Sequence, residues 1–557
     1  MKIRLLIAMI HAAVFVAMPI TILACEGDAR TPNAPPPANG ARLQIVPGAL
    51  DLEPGTTKEL KAVVYDETGK PVVSPVVEWR ITNSAVASVT AGGLVTGVSV
   101  GNAGVIASSN GFADTADIRV IPLSPTGTFI DIHPELTYQQ MTGWEGTAQI
   151  GEMECDPRAF AVYQPVVVDR LVNELGINRV RLEIRSGNEN PQDFYTQYRN
   201  SRRQADWAPY RYQSVNDNDN PLVARAEGFQ FSELDHKAEV IVQPLRTLLA
   251  ARGERLYVNL NYVDFGPSAW EHSSDPQEYA ELIHTAFLHL QSRFGWVPDA
   301  VEISLEPDNT PNWTPQAIGR ALVATGDRLK SAGFRPSFIA PSNTSMAGAL
   351  GYIDELIAMP RVLEYLTDVS YHRYSGVSAG TLAAIASRAK EHGLRTAMLE
   401  HIGSDYDDLH ADLREGLNST WQQFTLAFCN PRDDGDTYYR IDQSNPTSPV
   451  VVMAGRSRYL RQYFSFVRDN ARRIGAVSGE SRLDPLAFRN SNGKIAVVIL
   501  ATGAAPVHVR GLPSGTYGVR FTTSTDTFAS LPDAVVDAAG ALQVAMPAAG
   551  VMTIFAR

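Results

Sequence analysis

The sequence has 557 residues, 44% of them apolar, which is enough for ~3 to 4 domains with cores of their own. Its formal net charge of −12 and the lack of a basic run argue against a nucleic-acid partner. Three cysteines are too few for a disulfide scaffold.

The first 25 residues have the composition of a secretory signal peptide. Residues 1–4 are basic, residues 5–24 are almost wholly apolar, and the segment ends on Ile22-Leu23-Ala24-Cys25. That ending resembles the cleavage box of bacterial lipoproteins, which implies that Cys25 is lipidated and that the chain is anchored rather than spanning. An ordinary signal peptide and an uncleaved anchor are the alternatives. The proline-rich residues 26–40 predict a flexible linker, and no later segment is apolar enough to span a membrane.

Residues 41–122 alternate short apolar runs with turns such as Pro54-Gly55 and Gly92-Gly93, a pattern typical of a β-sandwich. The motifs Val77-Glu78-Trp79 and Gly93-Leu94-Val95-Thr96-Gly97 resemble those of bacterial immunoglobulin-like domains of group 2. The resemblance implies a spacer or an adhesion module, with Trp79 in its core.

Between residues 127 and 473, strand-like runs alternate with helical patterns, which is typical of parallel βα units. Eight such units predict a TIM barrel, whose sites lie at the C-terminal ends of the strands. The predicted strands are residues 139–147, 178–184, 255–261, 300–306, 336–340, 368–371, 396–400 and 420–427. Residues 474–557 predict a second β-sandwich, to which residues 128–132 are expected to add a strand.

Two of the predicted barrel strands end on a glutamate. Residues 300–306 end on Glu306, where Pro307 prevents the strand from continuing, and residues 396–400 end on Glu400. Two carboxylates at the mouth of one barrel are the minimum needed to hydrolyse a glycosidic bond. Either glutamate taken singly is more simply a solvated loop carboxylate, so the prediction depends on the pair.

A series of motifs in the barrel occurs in the order typical of one protein family. The matching segments are Thr142-Gly143-Trp144-Glu145-Gly146, Asn178-Arg179-Val180-Arg181-Leu182, Pro267-Ser268-Ala269-Trp270, Leu305-Glu306-Pro307, His372-Arg373-Tyr374 and Leu399-Glu400, with a closing helix at residues 459–468. On these residues the chain resembles the clan A glycoside hydrolases, and within them family 30 and its near relatives.

The resemblance implies roles for the residues at the barrel mouth. Glu306 would be the general acid/base and Glu400 the nucleophile, with carboxyl groups ~5 to 5.5 Å apart and retention of anomeric configuration. Arg181 is the predicted cation that holds Glu400 ionised, although a structural ion pair inside the barrel is an equally open role. His372 and Tyr374 are predicted to line the nucleophile. No cluster of His, Cys and Asp has metal-ligand spacing, so neither a metal nor an organic cofactor is expected.

The chain departs from the family at Leu305, where the clan has an asparagine that reaches the 2-hydroxyl of the sugar. Without that hydrogen bond, the resemblance does not decide which substrate the chain takes and, to a lesser degree, whether it is active. Glu302, on the same face of the same strand, is the rival acid, but its deeper position favours a buried partner for an arginine.

Several residues around the predicted mouth have two open interpretations. Trp144 and Trp270 fall at or just past strand ends, where they would serve as sugar platforms or as barrel packing. The long insertion of residues 186–235 is rich in tyrosine and is predicted to form a cleft wall. Asp217 and Asp219 lie in a polar run that fits no full calcium loop, so a polar turn is favoured over a cation site.

Cys155 follows the first predicted strand, and Cys429 follows the eighth. Closure of a barrel makes these two strands neighbours, and export would place the cysteines in an oxidising compartment. A Cys155–Cys429 disulfide is therefore predicted, with two separate thiols as the alternative.

Two functions from different classes are consistent with these features. The first is retaining hydrolysis of a β-linked polysaccharide or oligosaccharide by an exported, lipid-anchored or secreted enzyme, with transglycosylation as an inseparable variant. The second is glycan binding or adhesion by a catalytically inactive surface lipoprotein on the same scaffold, which Leu305 keeps open. The sequence indicates neither the sugar nor the linkage, nor endo against exo action.

Overall fold

A computed structural model describes residues 41–557 apart from 124, 126, 154, 267, 311, 430 and 431. The predicted signal peptide, Cys25 and the linker of residues 26–40 lie outside the described residues. The described chain forms an N-terminal group of strands, a central barrel and a C-terminal sheet. Among its described helices, none combines the length and the apolarity needed to cross a bilayer.

Nine short strands form the N-terminal domain. They are β1 Arg42–Val46, β2 Ala49–Leu52, β3 Thr57–Glu59, β4 Lys61–Tyr65, β5 Glu78–Ile81, β6 Ala87–Val89, β7 Leu94–Gly97, β8 Gly101–Ser109 and β9 Phe112–Val120. Every second residue of β8 is buried, which places Val105 and Ala107 in the core. Trp79 is half-buried and packs against this core. Alternation of this kind is what the predicted β-sandwich requires.

Eight parallel strands close the central barrel, because the first strand pairs with both the second and the eighth. The strands are β11 Gly143–Thr147, β12 Arg179–Arg185, β13 Tyr257–Val263, β14 Ala300–Glu302, β15 Ser337–Ser345, β16 Leu366–Ser375, β17 Arg395–Glu400 and β18 Asn418–Phe428. All residues of β11, β12 and β14 are buried, as expected for parallel strands covered on both faces. The predicted (β/α)8 barrel is confirmed.

Helices connect the barrel strands, and one more helix follows the barrel. They are α1 Pro157–Arg170, α2 Phe194–Ser201, α3 Ser232–Lys237, α4 Gln243–Ala251, α5 Pro276–Phe294, α6 Pro315–Ser331, α7 Met346–Ala358, α8 Ala379–Glu391, α9 Tyr406–Arg414 and α10 Ser457–Phe464. The Asp275 side chain accepts from the backbone at the start of α5, and the Thr314 side chain does the same for α6. These caps fix where each helix begins, and so the length of the loop left at the barrel mouth.

Two barrel strands differ from their predicted bounds. The expected first strand, residues 139–147, divides between β10 Phe129–Gln140 and β11, because Gln140 pairs with Arg472 of the C-terminal sheet. The expected fourth strand stops at Glu302, so that Glu306 lies on a loop rather than on the strand. Beyond the barrel, β18 also pairs with β19 Thr437–Asp442, which pairs with β20 Val450–Met453; neither strand was predicted.

One nine-stranded sheet follows the barrel. Besides β10 it contains β21 Arg472–Ser478, β22 Leu483–Arg489, β23 Ile495–Ala501, β24 Ala505–Arg510, β25 Thr516–Thr523, β26 Ala529–Val535, β27 Ala541–Met546 and β28 Gly550–Ala556. β10 lies between β21 and β24, so residues 128–132 add their strand as expected. Ile130 of β10 and Val519 of β25 share one core although several strands separate them, which means that the sheet wraps around that core.

Cys155 and Cys429 form a disulfide, with their Cα atoms 5.7 Å apart. Cys155 lies after β11 and Cys429 lies directly after β18, the two strands whose pairing closes the barrel. The bond joins positions 274 residues apart in the sequence. It therefore ties the first βα unit of the barrel to the last.

Replacement of both Cys155 and Cys429 by serine is expected to destabilise the barrel, because the unfolded chain loses a cross-link that closes a long loop. The expected loss in the free energy of unfolding is about 2 to 5 kcal/mol. Calorimetry of both proteins with and without dithiothreitol measures it. Reductant should lower the melting temperature of the wild type and leave the double variant unchanged; identical melting in all four samples would contradict the prediction.

Candidate active site

Glu306 and Glu400 face each other at the C-terminal end of the barrel. Glu306 follows β14 and Glu400 is the last residue of β17. One carboxylate oxygen of each, together with a ring nitrogen of His372, lies within 4.8 Å of the others. The two glutamates are only 9% and 6% exposed. The chain thus brings two acidic groups, far apart in sequence, to one nearly enclosed point.

The backbone turns sharply at Glu306. Its φ of 47° and ψ of 59° lie in the left-handed region, which a non-glycine residue adopts only where its surroundings enforce it. The Glu306 amide donates to the carbonyl oxygen of Ser342 at 3.1 Å, and the short turn Pro307–Asn309 follows. This turn brings the side chain of Asn309 back, so that its amide nitrogen donates to Oε2 of Glu306 at 2.7 Å. Sequence reasoning missed Asn309; its position three residues after Glu306 in a tight turn is the signal that could have found it.

Two donors hold the carboxylate of Glu400. Arg181 of β12 donates to Oε2, and the hydroxyl of Tyr374 donates to Oε1 at 2.9 Å. Burial of Arg181 disfavours its charged form, but the charges of Glu400 and Glu302 outweigh burial and raise the pKa of Arg181 above its ordinary value. Burial, together with the charges of Glu400 and Glu306, raises the pKa of the Tyr374 hydroxyl. The guanidinium therefore stays charged, and the phenol keeps the proton that it donates to Glu400.

His372 contacts the other carboxylate. Its Nδ1 lies 3.0 Å from Oε1 of Glu306. His372 also pairs with Glu400 between β16 and β17, and one of its ring nitrogens lies within 4.8 Å of a Glu400 oxygen, so it lies beside both carboxylates. His372 is fully buried, and although burial favours the neutral ring, the bond to Glu306 and the charge of Glu400 raise its pKa. Its Nε2 has no hydrogen-bond partner among the described residues.

Glu302 lies inside the barrel, below this pair. It is fully buried and accepts a hydrogen bond of 2.8 Å from the side chain of Asn259. Arg181 is the arginine expected beside it; Arg181 bonds to Glu400 and interacts with the buried Glu302 through its charge. Burial raises the pKa of Glu302. Glu302 is thus a core carboxyl rather than a second acid at the mouth.

The prediction that Trp144 is a sugar platform is wrong. Trp144 is fully buried near the start of β11, its ring stacks on Phe464 of α10 at 4.5 Å, and its Nε1 donates to the carbonyl oxygen of Val467. Because the strand begins only at Gly143, Trp144 lies at its N-terminal end, away from the barrel mouth. Trp270 is half-buried in the loop after β13, with its ring 4.6 Å from that of His272. A platform role for Trp270 stays a prediction.

The insertion of residues 186–235 is an ordered layer with a small core. Tyr195, Tyr198 and Trp207 are buried together in that core rather than displayed to a ligand. Tyr212 leaves this core and packs on Leu305 and Val263. The insertion therefore contacts the residue next to Glu306, as expected of a cleft wall.

Leu305 is 5% exposed and makes an apolar contact with the insertion. A leucine side chain has no polar atom with which to bind a sugar hydroxyl. Near Glu306, the side-chain amide belongs to Asn309. It donates to the carboxylate of Glu306.

Residues 42–120 match the family model for the bacterial Ig-like domain (group 2). A search of curated proteins finds no match to the sequence. Among solved structures, the chain is similar to the catalytic domain of GH30 xylanase C from Talaromyces cellulolyticus, with 16% identity, a TM-score of 0.59 and coverage of 77% of this chain and 100% of that chain. It is also similar to a GH30 endoxylanase from Clostridium papyrosolvens C71, with 15% identity, a TM-score of 0.55 and coverage of 77% and 100%. The endo-β1,6-glucanase BT3312 has 14% identity, a TM-score of 0.53 and coverage of 86% and 99%.

These similarities establish the fold. The chain has an N-terminal Ig-like domain, followed by the barrel and strand-rich C-terminal region found in GH30 structures. The predicted Ig-like domain is confirmed, and the predicted barrel with a C-terminal β-rich region is the fold of these GH30 structures. At such identities the similarities assign no role to individual residues, so the chemistry has to be argued from the contacts of Glu306 and Glu400.

Proposed function

We propose that this protein is a glycosidase that hydrolyses a β-linked glycan with retention of anomeric configuration. The observation that carries the proposal is that oxygens of Glu306 and Glu400 lie within 4.8 Å of each other at the barrel mouth. Retaining pairs have carboxyl groups about 5 to 5.5 Å apart, whereas inverting pairs need about 6.5 to 9.5 Å to admit a water molecule. The shorter spacing favours direct attack by one carboxylate.

Glu400 is the nucleophile of this mechanism and Glu306 its acid/base. In the first step Glu400 attacks the anomeric carbon while Glu306 protonates the departing oxygen, which yields a covalent glycosyl-enzyme and a free alcohol. In the second step Glu306 takes a proton from water, whose oxygen attacks the same carbon and releases Glu400. Two inversions at one carbon restore the β configuration.

Arg181 and Tyr374 support Glu400 by charge-assisted hydrogen bonds. Such bonds hold the carboxylate in place and fix its direction of attack. Asn309 and His372 support Glu306, which must hold a proton in the first step and accept one in the second. Asn309 donates to one oxygen, and Nδ1 of His372 can donate to or accept from the other, so both protonation states of Glu306 find a partner.

The substrate class is proposed from the neighbouring structures and from the site. The similar structures include two xylanases and an endo-β1,6-glucanase, all of which act on β-linked polysaccharides. We extend that class, but no particular sugar, to this chain. The motif ending at Cys25 and the Cys155–Cys429 disulfide support export, with a lipid anchor and the Ig-like domain as a spacer between membrane and enzyme.

A second candidate function is glycan binding without turnover. Leu305 favours it, since it removes the hydrogen bond that the clan's asparagine makes to the 2-hydroxyl of the sugar. A site without that bond stabilises the transition state less. The hydrogen-bond donors around Glu306 and Glu400 favour a hydrolase over a protein that only binds glycans.

The test is a panel of aryl β-glycosides and β-linked polysaccharides incubated with wild type and with Glu400→Gln, with products separated by chromatography. We expect wild type alone to release product from at least one substrate. If both proteins bound a glycan tightly and neither released product, the proposed hydrolysis would be wrong and glycan binding without turnover would be favoured.

Replacement of Tyr374 by phenylalanine is expected to lower kcat by roughly 10- to 100-fold, because a hydrogen bond to a charged carboxylate is worth about 1.5 to 3 kcal/mol. KM should change little, since the hydroxyl contacts Glu400 rather than the expected position of the substrate. Steady-state kinetics measure both constants. Tyr65→Phe, in the N-terminal domain, is the matched control; equal effects of the two substitutions would contradict the role given to Tyr374.

A further inference from the structure

A second group of carboxylates lies where the insertion meets helix α5. Glu189 and Asp217 belong to the insertion, and Glu278 to the first turn of α5. One oxygen from each lies within 4.8 Å of the other two. Glu281 follows one turn later on the same helix, and its carboxyl interacts directly with that of Glu278. Four acidic side chains from three separate segments therefore meet at one place.

Several oxygens of this group lack a donor although they are buried. Glu278 is 2% exposed and Glu281 is 0% exposed. Apart from the contact between the Glu278 and Glu281 carboxyls themselves, Oε2 of Glu278, Oε2 of Glu281 and Oδ1 of Asp217 have no hydrogen-bond partner among the described residues, and Oε1 of Glu281 has only the ion pair with Arg328 at 3.5 Å. A buried carboxylate oxygen without a donor is costly, and buried charges are normally paired or bound to a metal. These unpartnered atoms are an observation independent of the acidic composition.

The remaining oxygens are held by donors that orient the side chains. Oε1 of Glu189 accepts from the amide of Asp217 at 3.0 Å, and Oε2 of Glu189 lies 2.8 Å from Nε2 of His272. Oδ2 of Asp217 accepts from the amide of Arg225 and from the side chain of Asn218. Supporting bonds of this kind are typical of carboxylates that serve as metal ligands.

Nearby cations do not balance the four carboxylates. Among the described side chains, the ion pairs to the group are Arg328, 3.5 Å from Oε1 of Glu281, and His272 at Glu189. Four carboxyl groups therefore lie beside one arginine and one histidine.

We propose that Glu189, Asp217 and Glu278 bind a calcium ion, with Glu281 beside them as a further oxygen ligand. The offered ligands are all oxygens, which excludes the soft sites of zinc and copper and leaves hard cations. Magnesium retains several waters and takes only one or two carboxylates, whereas calcium accepts six to eight oxygens in flexible geometry. Asp217 takes part and Asp219 does not, because Asp219 is exposed and lies outside the group of neighbouring carboxylate oxygens.

Calcium at this position would fasten the insertion to the barrel. It joins two points of the insertion to α5, and the same insertion carries Tyr212 onto Leu305 beside Glu306. The ion would therefore stabilise the cleft wall without touching the glycan. This inference does not depend on the proposed hydrolysis, because binding and melting are measured without substrate.

The test uses the full chain, stripped with EDTA, dialysed, and titrated with CaCl2 or MgCl2. We expect about one calcium per chain by isothermal titration calorimetry, and a rise in melting temperature of about 5 °C or more at saturating calcium. Magnesium at the same concentration should produce a smaller rise. Absence of bound calcium and of any calcium-dependent shift would overturn the proposal.

Paired variants distinguish a site from a general effect of acidic charge. Asp217→Asn and Glu278→Gln should lose the calcium-dependent shift, while Asp219→Asn, in the same turn, should keep it. Without calcium, Glu278→Gln should melt no lower than the stripped wild type, because it relieves repulsion between carboxylates, so loss of the shift cannot be attributed to misfolding. An equal loss in Asp219→Asn and Asp217→Asn would overturn the assignment.

Discussion

Glu400→Gln is expected to lower the rate of glycoside hydrolysis by roughly 10⁴-fold or more, the largest effect of any single substitution in the chain. Glutamine fills the same space and still accepts a hydrogen bond from Tyr374, but its amide oxygen is too weak a nucleophile to form the glycosyl-enzyme. Because buried Arg181 loses its charge partner, the melting temperature should fall, and circular dichroism checks that the fold is kept at the assay temperature. The measurement is kcat/KM for whichever aryl β-glycoside the wild type cleaves best.

A smaller side chain at the same position provides the positive control. In Glu400→Ala, azide can enter the space left by the carboxylate and attack the anomeric carbon while Glu306 protonates the leaving oxygen. The product would be the α-glycosyl azide, identified by NMR. Wild-type activity in Glu400→Gln would contradict the role of Glu400. Formation of the β-glycosyl azide by Glu400→Ala would contradict it as well.

Glu306→Ala should have the second largest effect, and that effect should depend on the leaving group. With poor leaving groups, such as the sugar of a polysaccharide, loss of the acid should lower kcat by about 10²- to 10⁴-fold. A 2,4-dinitrophenyl group departs without protonation, so the first step with that substrate should be nearly normal and a burst of phenolate should appear. Azide should then attack the glycosyl-enzyme and release the sugar as the β-glycosyl azide.

Glu302→Gln is the matched control for Glu306. It lies on the same segment, is fully buried, and pairs with Asn259 inside the barrel. We expect kinetics within about tenfold of wild type and no dependence on the leaving group, since an uncharged side chain suits that site. If Glu302→Gln showed the leaving-group dependence and Glu306→Ala did not, the acid would have been assigned to the wrong carboxyl.

The sequence predicted the fold well because periodicity follows directly from burial. Mostly apolar runs such as β17 are covered on both faces, and they were readable as barrel strands without any knowledge of the contacts. The division at Gln140 was not readable, because pairing with Arg472 joins residues 332 positions apart. Where a strand ends depends on such tertiary partners rather than on local pattern.

The candidate site was predictable only in part. A carboxylate at the end of a parallel strand must lie at the barrel mouth, which located Glu306 and Glu400 from position alone. Trp144 was expected near the mouth because the first strand was predicted over residues 139–147, but the strand begins only at Gly143, which places Trp144 at its opposite end. The carboxylate group of Glu189, Asp217 and Glu278 comes from three distant segments, so no spacing in the sequence could show it.

The central claim is that Glu306 and Glu400 form a retaining pair, and the anomeric form of the first product tests it most directly. Hydrolysis of a cleaved β-linked substrate is followed by proton NMR from the first minutes, before mutarotation mixes the anomers. The proposed mechanism predicts that the β-anomer appears first and the α-anomer only later. First appearance of the α-anomer would mean a single displacement by water, and would contradict the assignment of Glu400 as a nucleophile.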